Sequence, residues 1–251
     1  MNVTKHMAAL IALLLTVNAT SALAAVNVDL DFSTLPTTPA NGSWQDTFTT
    51  ANGMVNTGTG IWNVNVGAGG YVWYRRNATA TEMDGPYVHG TAEIKSISGL
   101  TSTTNNVGVL TAHKSTAGLG ANSFYVDLHV RGGAIQFDGG HTGTATITSA
   151  SIPVANMDGL EHTYGWEIHL PTSTLKVFYD GVQVGTPAGY SIPITAGFST
   201  DGYFFGDGWA QGAHQEEWDR YTVQEGPFVA IPEPACLALA SLAGLMLRRR
   251  R

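Results

Sequence analysis

Apolar and polar residues alternate along most of the chain between residues 25 and 227. In the segment 124–130 the apolar side chains are Phe124, Val126, Leu128 and Val130. The segment 164–170 repeats the pattern with Tyr164, Trp166, Ile168 and Leu170. Because successive side chains of a β-strand point to opposite faces, this period of two predicts strands that are buried on one side.

Further segments of the same kind predict strands at 26–32, 61–66, 71–76, 87–97, 107–114, 134–137, 144–152, 175–179, 203–206 and 218–223. Turn-forming residues separate them, and Asp180-Gly181 is typical of a type I′ hairpin turn. No helical period lasts ten residues between the two ends of the chain. Short strands at this spacing predict an all-β fold, a sandwich of two antiparallel sheets.

The N-terminal segment differs from this body. Lys5 and His6 precede an apolar run over 7–17, and Ala22-Leu23-Ala24 follows with small residues. This order predicts a secretory signal peptide, residues 1–24, cut after Ala24. The alternative of a short membrane anchor is disfavoured because the apolar run is too short to span a bilayer.

The C-terminal segment 231–251 joins Pro232-Glu233-Pro234, an apolar stretch over 235–247, and four arginines: Arg248, Arg249, Arg250 and Arg251. The apolar stretch predicts a helix about 20 Å long, shorter than the ~30 Å hydrocarbon core of a bilayer. The arginines favour the cytoplasmic side of a membrane. An amphipathic or buried terminal helix is the alternative, but a globular helix does not need four consecutive arginines.

In this order, the triplet, the apolar helix and the arginines resemble a PEP-CTERM sorting signal, found on exported proteins of exopolysaccharide-producing Gram-negative bacteria. The resemblance implies recognition of Pro232, Glu233 and Pro234 by an exosortase-type membrane protease. It also implies transient anchoring in the inner membrane, removal of the helix and arginines, and a mature protein at the cell surface or outside the cell. Cys236, the only cysteine, lies in this segment, so the chain cannot form an internal disulfide.

The body between the two terminal segments is acidic. Five of the twelve Lys and Arg residues and one of the nineteen Asp and Glu residues lie in those segments, which leaves the body a net charge of about −11. Such a charge disfavours nucleic acid and anionic membranes as partners, because both require basic patches. It suits neutral glycans, cations, or simple solubility.

A second resemblance lies in residues 162–186, HTYGWEIHLPTSTLKVFYDGVQVGT. This stretch is similar to the central hairpins of LamG-like, concanavalin A-like jelly rolls, and segments 203–208 and 217–221 fit later strands. Extended over residues 87–224, the resemblance implies a jelly roll of two antiparallel sheets with Greek-key connections. Such folds serve glycan binding, protein binding and glycan hydrolysis, so the fold leaves the function open.

The best candidate for an enzyme motif is Glu217-Trp218-Asp219, with two carboxylates on one strand face. Catalytic jelly rolls of the laminarinase type carry a third carboxylate where this chain has Tyr221 or Thr222. Retaining glycosidases need two carboxyl groups about 5–5.5 Å apart, one of them a general acid, and that acid is missing here. The sequence therefore predicts no enzyme. Trp218 is expected to fill the core, and Asp219 to cap or to pair with Arg220.

The chain has eight histidines, which are candidate zinc ligands. Zinc needs three or four convergent ligands. His162 and His169 fall on opposite faces of one strand, and His129 and His141 straddle a predicted hairpin with no third ligand. Scattered surface histidines are the expected arrangement.

Calcium is the candidate cofactor, with Asp201 and Asp207 as ligands. Both lie in a glycine-rich stretch where carboxylate and carbonyl oxygens can converge, and concanavalin A-like folds often hold calcium at a sheet edge. The triplet Gly206-Asp207-Gly208 is equally explained as a tight turn. The two interpretations remain open.

Glycan binding requires an exposed aromatic ring with polar groups beside it. The loop between residues 206 and 215 offers these together, and the predicted glycan-binding residues are Trp209, Asp207, Gln211 and His214. A second aromatic segment, 71–76, alternates so that one set of rings faces outward. Four of the six tryptophans are expected in the core.

Three functions follow from these observations. The first is an exported, non-enzymatic jelly roll, residues 25–227, that associates with extracellular polysaccharide by binding glycans. The second is a structural protein of the matrix or envelope without a small ligand. The third is a glycan-active hydrolase, against which the missing carboxylate argues.

Overall fold

The computed structural model describes residues 26–34, 44–48, 54–56, 60–66, 72–79, 81–98, 106–114, 123–142, 148–192, 194–195, 202–207 and 214–229. Within these ranges the chain is all β, apart from one short 3-10 helix, Leu170–Thr172. No helix in these ranges has the length and apolar composition to cross a membrane. The predicted signal peptide, 1–24, and sorting segment, 231–251, lie outside them.

The strands form two sheets within the described residues. The first sheet contains β1 (Val26–Leu30), β3 (Met54–Asn56), β4 (Trp62–Val66), β6 (Tyr87–Ser98), β11 (Glu161–His169), β12 (Thr174–Tyr179), β13 (Val182–Val184), β14 (Tyr190–Ser191) and β17 (His214–Glu225). The second contains β2 (Gln45–Phe48), β5 (Val72–Asn77), β7 (Asn106–Lys114), β8 (Phe124–Arg131), β9 (Ala134–Thr142), β10 (Thr148–Pro153), β15 (Ile194–Thr195) and β16 (Gly202–Asp207).

The order of strands is that of a jelly-roll-like sandwich. The first sheet runs β13-β12-β11-β6-β17-β4-β3, with β1 beside β17 and β14 beside β12. The second runs β10-β9-β8-β7-β16-β5-β2. The described pairings are antiparallel except that of β15 with β9, which is parallel. Several neighbouring strands, such as β6 and β17, are distant in the sequence, and some consecutive strands, such as β16 and β17, belong to different sheets. The prediction of two antiparallel sheets is confirmed.

Most strands follow the alternation of the sequence. The hairpin turn between β12 and β13 has Asp180 at φ 50° and Gly181 at φ 75°, as a type I′ turn requires. Strands β3, β13, β14 and β15 were not predicted. They contain only two or three residues, which is too short for a period of two to be recognised.

The core lies between the sheets and is rich in aromatic rings. Phe205 of β16 is fully buried at its centre. The rings with centroids between 4.7 and 5.7 Å from that of Phe205 are Phe32, Trp44, Trp62, Tyr74, Trp218 and Tyr221. Four tryptophans, Trp44, Trp62, Trp166 and Trp218, are buried, which confirms the expectation for the core.

After β17 the chain folds back over the outer face of the first sheet. We call residues 226–229 the C-terminal strap. The ring of Phe228 stacks on Phe178 with centroids 4.0 Å apart, and its backbone N–H donates to Glu167 Oε2 at 2.6 Å. The carbonyl oxygen of Gly226 lies 2.9 Å from His89 Nδ1. The strap therefore covers part of a sheet face that would otherwise be exposed.

Candidate functional site

The outer face of the second sheet carries a group of aromatic and polar side chains. They alternate with core residues on four adjacent strands, β5, β16, β7 and β8. On β5, for example, Trp73 and Arg75 point outward and are half-buried, while Val72 and Tyr74 are in the core. We call this side of the sheet the ring face.

Four rings on the ring face form a continuous row. The centroids of Trp73 and Phe204 are 5.3 Å apart and their planes differ by 23°, so these two rings are stacked. His113 lies 5.1 Å from Phe204 and 4.7 Å from Tyr125. We call Trp73, Phe204, His113 and Tyr125 the ring row. Phe204 is buried at 7% exposure, whereas the other three are half-buried and form the accessible part of the row.

Asp127 holds one end of the ring row in place. Tyr125 Oη donates to Asp127 Oδ2 at 2.9 Å, and Thr111 Oγ1 donates to Asp127 Oδ1 at 2.5 Å. His129 Nε2 lies 3.2 Å from Asp127 Oδ2. Burial alone would raise the pKa of Asp127, but the hydrogen bonds from His129, Thr111 and Tyr125 outweigh it, so the pKa is lowered. Asp127 is thus a buried anion whose donors come from the protein.

Burial shifts the pKa values of two other groups near the row toward their neutral forms. Burial lowers the pKa of His113 to about 4, despite the opposing charge of Asp127. Asp138, opposite Asp127 in the β8–β9 pairing, has a raised pKa because it is partly buried and because Asp127 is negative. Near the ring row, burial thus disfavours the charged forms of both His113 and Asp138.

The outer face of the first sheet carries a different group, which we call the carboxylate cluster. It consists of Glu93, Glu161 and Asp219, whose carboxylate oxygens lie within 4.8 Å of one another. Burial and the charge of Asp219 raise the pKa of both Glu93 and Glu161. Within the described ranges this is the one group of three acidic, histidine or cysteine residues close enough to share a metal ion. Its members come from β6, β11 and β17, which are distant in the sequence, so the cluster was not predicted.

The residues of the candidate enzyme motif, 217–219, contact other parts of the first sheet and the core. Trp218 is fully buried in the core, as expected. Glu217 forms an ion pair with Lys95 at 3.2 Å. The expected pairing of Asp219 with Arg220 is wrong, because Arg220 forms two hydrogen bonds to Asp29, at 2.9 and 2.8 Å. A β-bulge between Trp218 and Arg220 instead leaves Asp219 in the carboxylate cluster.

The expectation of surface histidines is wrong for three of them. His89, His129 and His162 are buried, and each contacts an oxygen atom of the protein. The two histidines expected on opposite faces of one strand do lie so, since His162 is buried while His169 stacks on Tyr87 on the outer face. His129 and His141 lie on the two strands of the predicted hairpin, but the β8–β9 register sets them opposite Gln136 and Phe124 respectively and not opposite each other. A histidine can be recognised in a strand from its sequence, but its partner depends on the strand register.

The residues predicted to bind glycan and calcium are only partly described. Asp201, Trp209 and Gln211 lie outside the described residues, as do Pro232, Glu233, Pro234 and the four terminal arginines. The backbone places Asp207 at the end of β16 and His214 at the start of β17, in different sheets. In the β5–β16 pairing, Asp207 is opposite Val72, next to Trp73. The end of β16, after which Trp209 follows in the sequence, therefore lies beside the Trp73 end of the ring row.

Comparison with solved structures reveals similarity of fold. A conserved carbohydrate esterase from the Shiga toxin-encoding bacteriophage phi24B is 15% identical with a TM-score of 0.54, and the match covers 81% of this chain and all of the esterase chain. The binding domain of Paraclostridial Mosquitocidal Protein 1 is 6% identical with a TM-score of 0.53, and the match covers 82% of this chain and 50% of that one.

A structure of botulinum neurotoxin type C, whose cell entry depends on interaction with two ganglioside molecules, is 8% identical with a TM-score of 0.51. That match covers 81% of this chain and 49% of the toxin chain, so this chain spans about half the length of the two toxin structures. No protein-family model matches the sequence, and no curated protein does either. At such low identity these similarities establish the fold alone.

Proposed function

We propose that this protein is an exported jelly roll that binds extracellular polysaccharide through the ring row without cleaving it. The observation that carries the proposal is the continuous row of Trp73, Phe204, His113 and Tyr125 on an outward sheet face. Flat aromatic faces with polar groups beside them are the usual lining of small-molecule and sugar sites. The fold supports the proposal, because its solved neighbours include a carbohydrate esterase and a toxin that interacts with gangliosides.

The glycan-binding residues predicted from the sequence are close to Trp73 along the chain. Asp207 ends β16 beside Trp73, and Trp209, Gln211 and His214 follow within seven residues. We propose that these residues contact the glycan together with Trp73. The alternative, a matrix protein without a ligand, requires the ring face to be inert.

The proposed binding is tested with Trp73→Ala in the full-length chain. Affinity electrophoresis in gels that contain laminarin, dextran or polygalacturonate measures binding. We expect at least one polysaccharide to retard the protein, and Trp73→Ala to weaken that interaction about tenfold. The control is Tyr87→Ala, which removes an aromatic ring from the outer face of the first sheet, where it stacks on His169 at 4.0 Å. Equal loss in both variants, or no retardation at all, would favour the matrix protein.

The absence of catalysis is also part of the proposal. The positions at which a third carboxylate would stand are Tyr221 and Thr222, both buried, and Glu217 is paired with Lys95. We expect no release of reducing ends from β-glucans. Turnover that is abolished by Glu217→Gln would contradict this and favour the hydrolase.

The sorting part of the proposal rests on the terminal segments. We propose that the protein is exported by its signal peptide, held in the inner membrane by residues 235–251, and released to the surface or medium by an exosortase-type protease acting at Pro232, Glu233 and Pro234. Mass spectrometry of the exported protein should show the loss of Arg248–Arg251 together with the apolar stretch. An exported protein that keeps its intact C-terminus would exclude this processing.

A further inference from the structure

Arg75 lies on the ring face without a charged partner in the described part of the chain. Its guanidinium carbon is 6.0 Å from the centroid of Phe204, and it shares strand β5 with Trp73. The Nε atom of Arg75 is buried and has no hydrogen-bond partner. Because the Nε atom is shielded, an anionic ligand would be bound by the two terminal nitrogens of the guanidinium, which carry four N–H donors.

Other cations of the protein do have acidic partners. Arg76, the next residue, points into the core and binds Glu82 Oε1 at 2.6 Å and the Asn27 carbonyl oxygen at 2.9 Å. Ion pairs also hold Lys95, Lys114, Lys176 and Arg220, with partners Glu217, Asp84, Glu167 and Asp29. In a protein with a net charge of −7, an arginine that faces no described carboxylate is therefore a notable exception.

The acidic residues of the ring face cannot serve as that partner. The strand registers set Arg75, Phe204, Thr111 and Asp127 in one line across β5, β16, β7 and β8. Three strand spacings of ~4.8 Å separate Arg75 from Asp127, about 14 Å at the backbone, which exceeds the reach of an ion pair. Asp127 already accepts hydrogen bonds from Thr111 and Tyr125. Asp138, on β9, is one strand further away than Asp127. The described charge nearest to the outermost ring of the row is thus that of Arg75.

We infer that the ring face recognises an acidic polysaccharide, one whose sugars carry carboxylate groups. The inference rests on the proposed binding of glycan and specifies its chemical class. A sugar ring stacks on Trp73 while its carboxylate accepts two parallel hydrogen bonds from the planar guanidinium of Arg75, a geometry that arginine provides and lysine does not. Gln45, exposed and opposite Arg75 on β2, adds an amide within reach of the hydroxyl groups of the sugar. The acidic body as a whole then repels polyanions except at this face.

The test compares polygalacturonate with the same polymer after chemical reduction of its carboxyl groups, using the full-length chain and affinity electrophoresis. We expect the wild-type protein to bind the acidic polymer at least about tenfold more tightly than the neutral one, since a hydrogen bond to a charged group is worth about that much. Arg75→Gln should abolish this preference, and Arg75→Lys should retain part of it. Trp73→Ala should weaken the binding of both polymers. Arg220→Gln, on the outer face of the first sheet, is the matched control and should change neither.

Each outcome separates the two proposals. Equal binding of the acidic and the neutral polymer by the wild-type protein overturns the inference and leaves the proposed glycan binding intact. A preference that persists in Arg75→Gln also overturns it, because the charge is then recognised elsewhere. Binding of neither polymer overturns both. Should Arg75→Gln fail to fold, the wild-type protein is tested for its preference for the acidic polymer at about 0.05 and about 0.5 M salt. A preference that depends on the charge of Arg75 disappears at the higher salt concentration, and one that persists there overturns the inference.

Discussion

His162 is a buried histidine held between two carboxylates. Its Nδ1 lies 2.8 Å from Asp180 Oδ2, and its Nε2 lies 3.0 Å from Asp158 Oδ1. Burial opposes the charged imidazolium, but the hydrogen bonds of Asp180 and Asp158 outweigh it and raise the pKa of His162 above its ordinary value. His113 on the ring face shows the reverse, because burial lowers its pKa to about 4. The pKa values of the two imidazoles are therefore shifted in opposite directions.

We expect these histidines to contribute to stability with opposite dependence on pH. A raised folded pKa means that the contribution of His162 is fully present below its ordinary pKa of 6.5 and is lost as the pH rises through the folded value. For His113, the unfolded chain takes up the proton first, so stability is lost as the pH falls from 6.5 towards about 4.

Urea unfolding at about pH 5 and about pH 8 measures both effects. The advantage of the wild-type protein over His162→Gln should be larger at the lower pH, and its advantage over His113→Gln should be larger at the higher pH. A pH dependence of the same sign in the two variants would contradict the assignment.

The ring row also shows how far individual site residues can be predicted. The alternation in residues 71–76 predicted an outward ring, and Trp73 is that ring. Phe204, His113 and Tyr125 were recognised only as residues of strands, because their proximity depends on the pairing of β16 with β5 and β7. Register is set by packing and turns over the whole sheet, not by the local sequence. Arg75 was likewise not predicted, since the lack of a partner is a property of the folded chain.

Strands were predicted more successfully than single contacts. A period of two over five or more residues is sufficient to identify a strand with one buried face, as in β8 and β11. The sheet to which a strand belongs could not be predicted from the sequence, because some consecutive strands, such as β8 and β9, pair with each other while others, such as β5 and β6, lie in different sheets. The carboxylate cluster and the C-terminal strap could not be predicted for the same reason, since each joins segments that are distant in the sequence.

Gly206 determines how closely β16 approaches β5. Its φ is +119°, and a Cβ atom there would clash with the carbonyl oxygen of Val72 and the Cα of Trp73. Gly159 also has a positive φ, +76°, but a Cβ atom there would meet nothing within 4 Å. Replacing either glycine by alanine therefore strains the backbone, but only the replacement of Gly206 also produces a steric clash.

We expect Gly206→Ala to destabilise the protein by about 1–3 kcal/mol more than Gly159→Ala does. Chemical denaturation of the two variants measures the difference. Gly206→Ala should also weaken polysaccharide binding, because Gly206 is the strand partner of Trp73. Equal stability of the two variants would show that β5 and β16 can separate at little cost.

The distribution of acidic residues makes a divalent cation a testable partner of the protein. Calcium at Asp201 and Asp207 stays a prediction, since the structure does not describe either side chain. If calcium binds only the folded chain, a free calcium concentration a hundredfold above Kd stabilises the fold by about 2.7 kcal/mol. Thermal unfolding of the full-length chain with calcium and with chelator measures this.

Variants then locate the cation. Asp207→Ala should abolish the calcium effect, while Glu161→Gln in the carboxylate cluster should leave it unchanged. The reverse result would place the cation on the first sheet. Identical midpoints with calcium and with chelator would exclude a structural calcium ion.

The C-terminal strap has a consequence for how the protein is displayed. It crosses the outer face of the first sheet, and β1, the first described strand, belongs to the same sheet. The strap therefore lies on one side of the sandwich and the ring face on the other, with both sheets between them. A fluorophore attached to the strap would leave the ring face unobstructed.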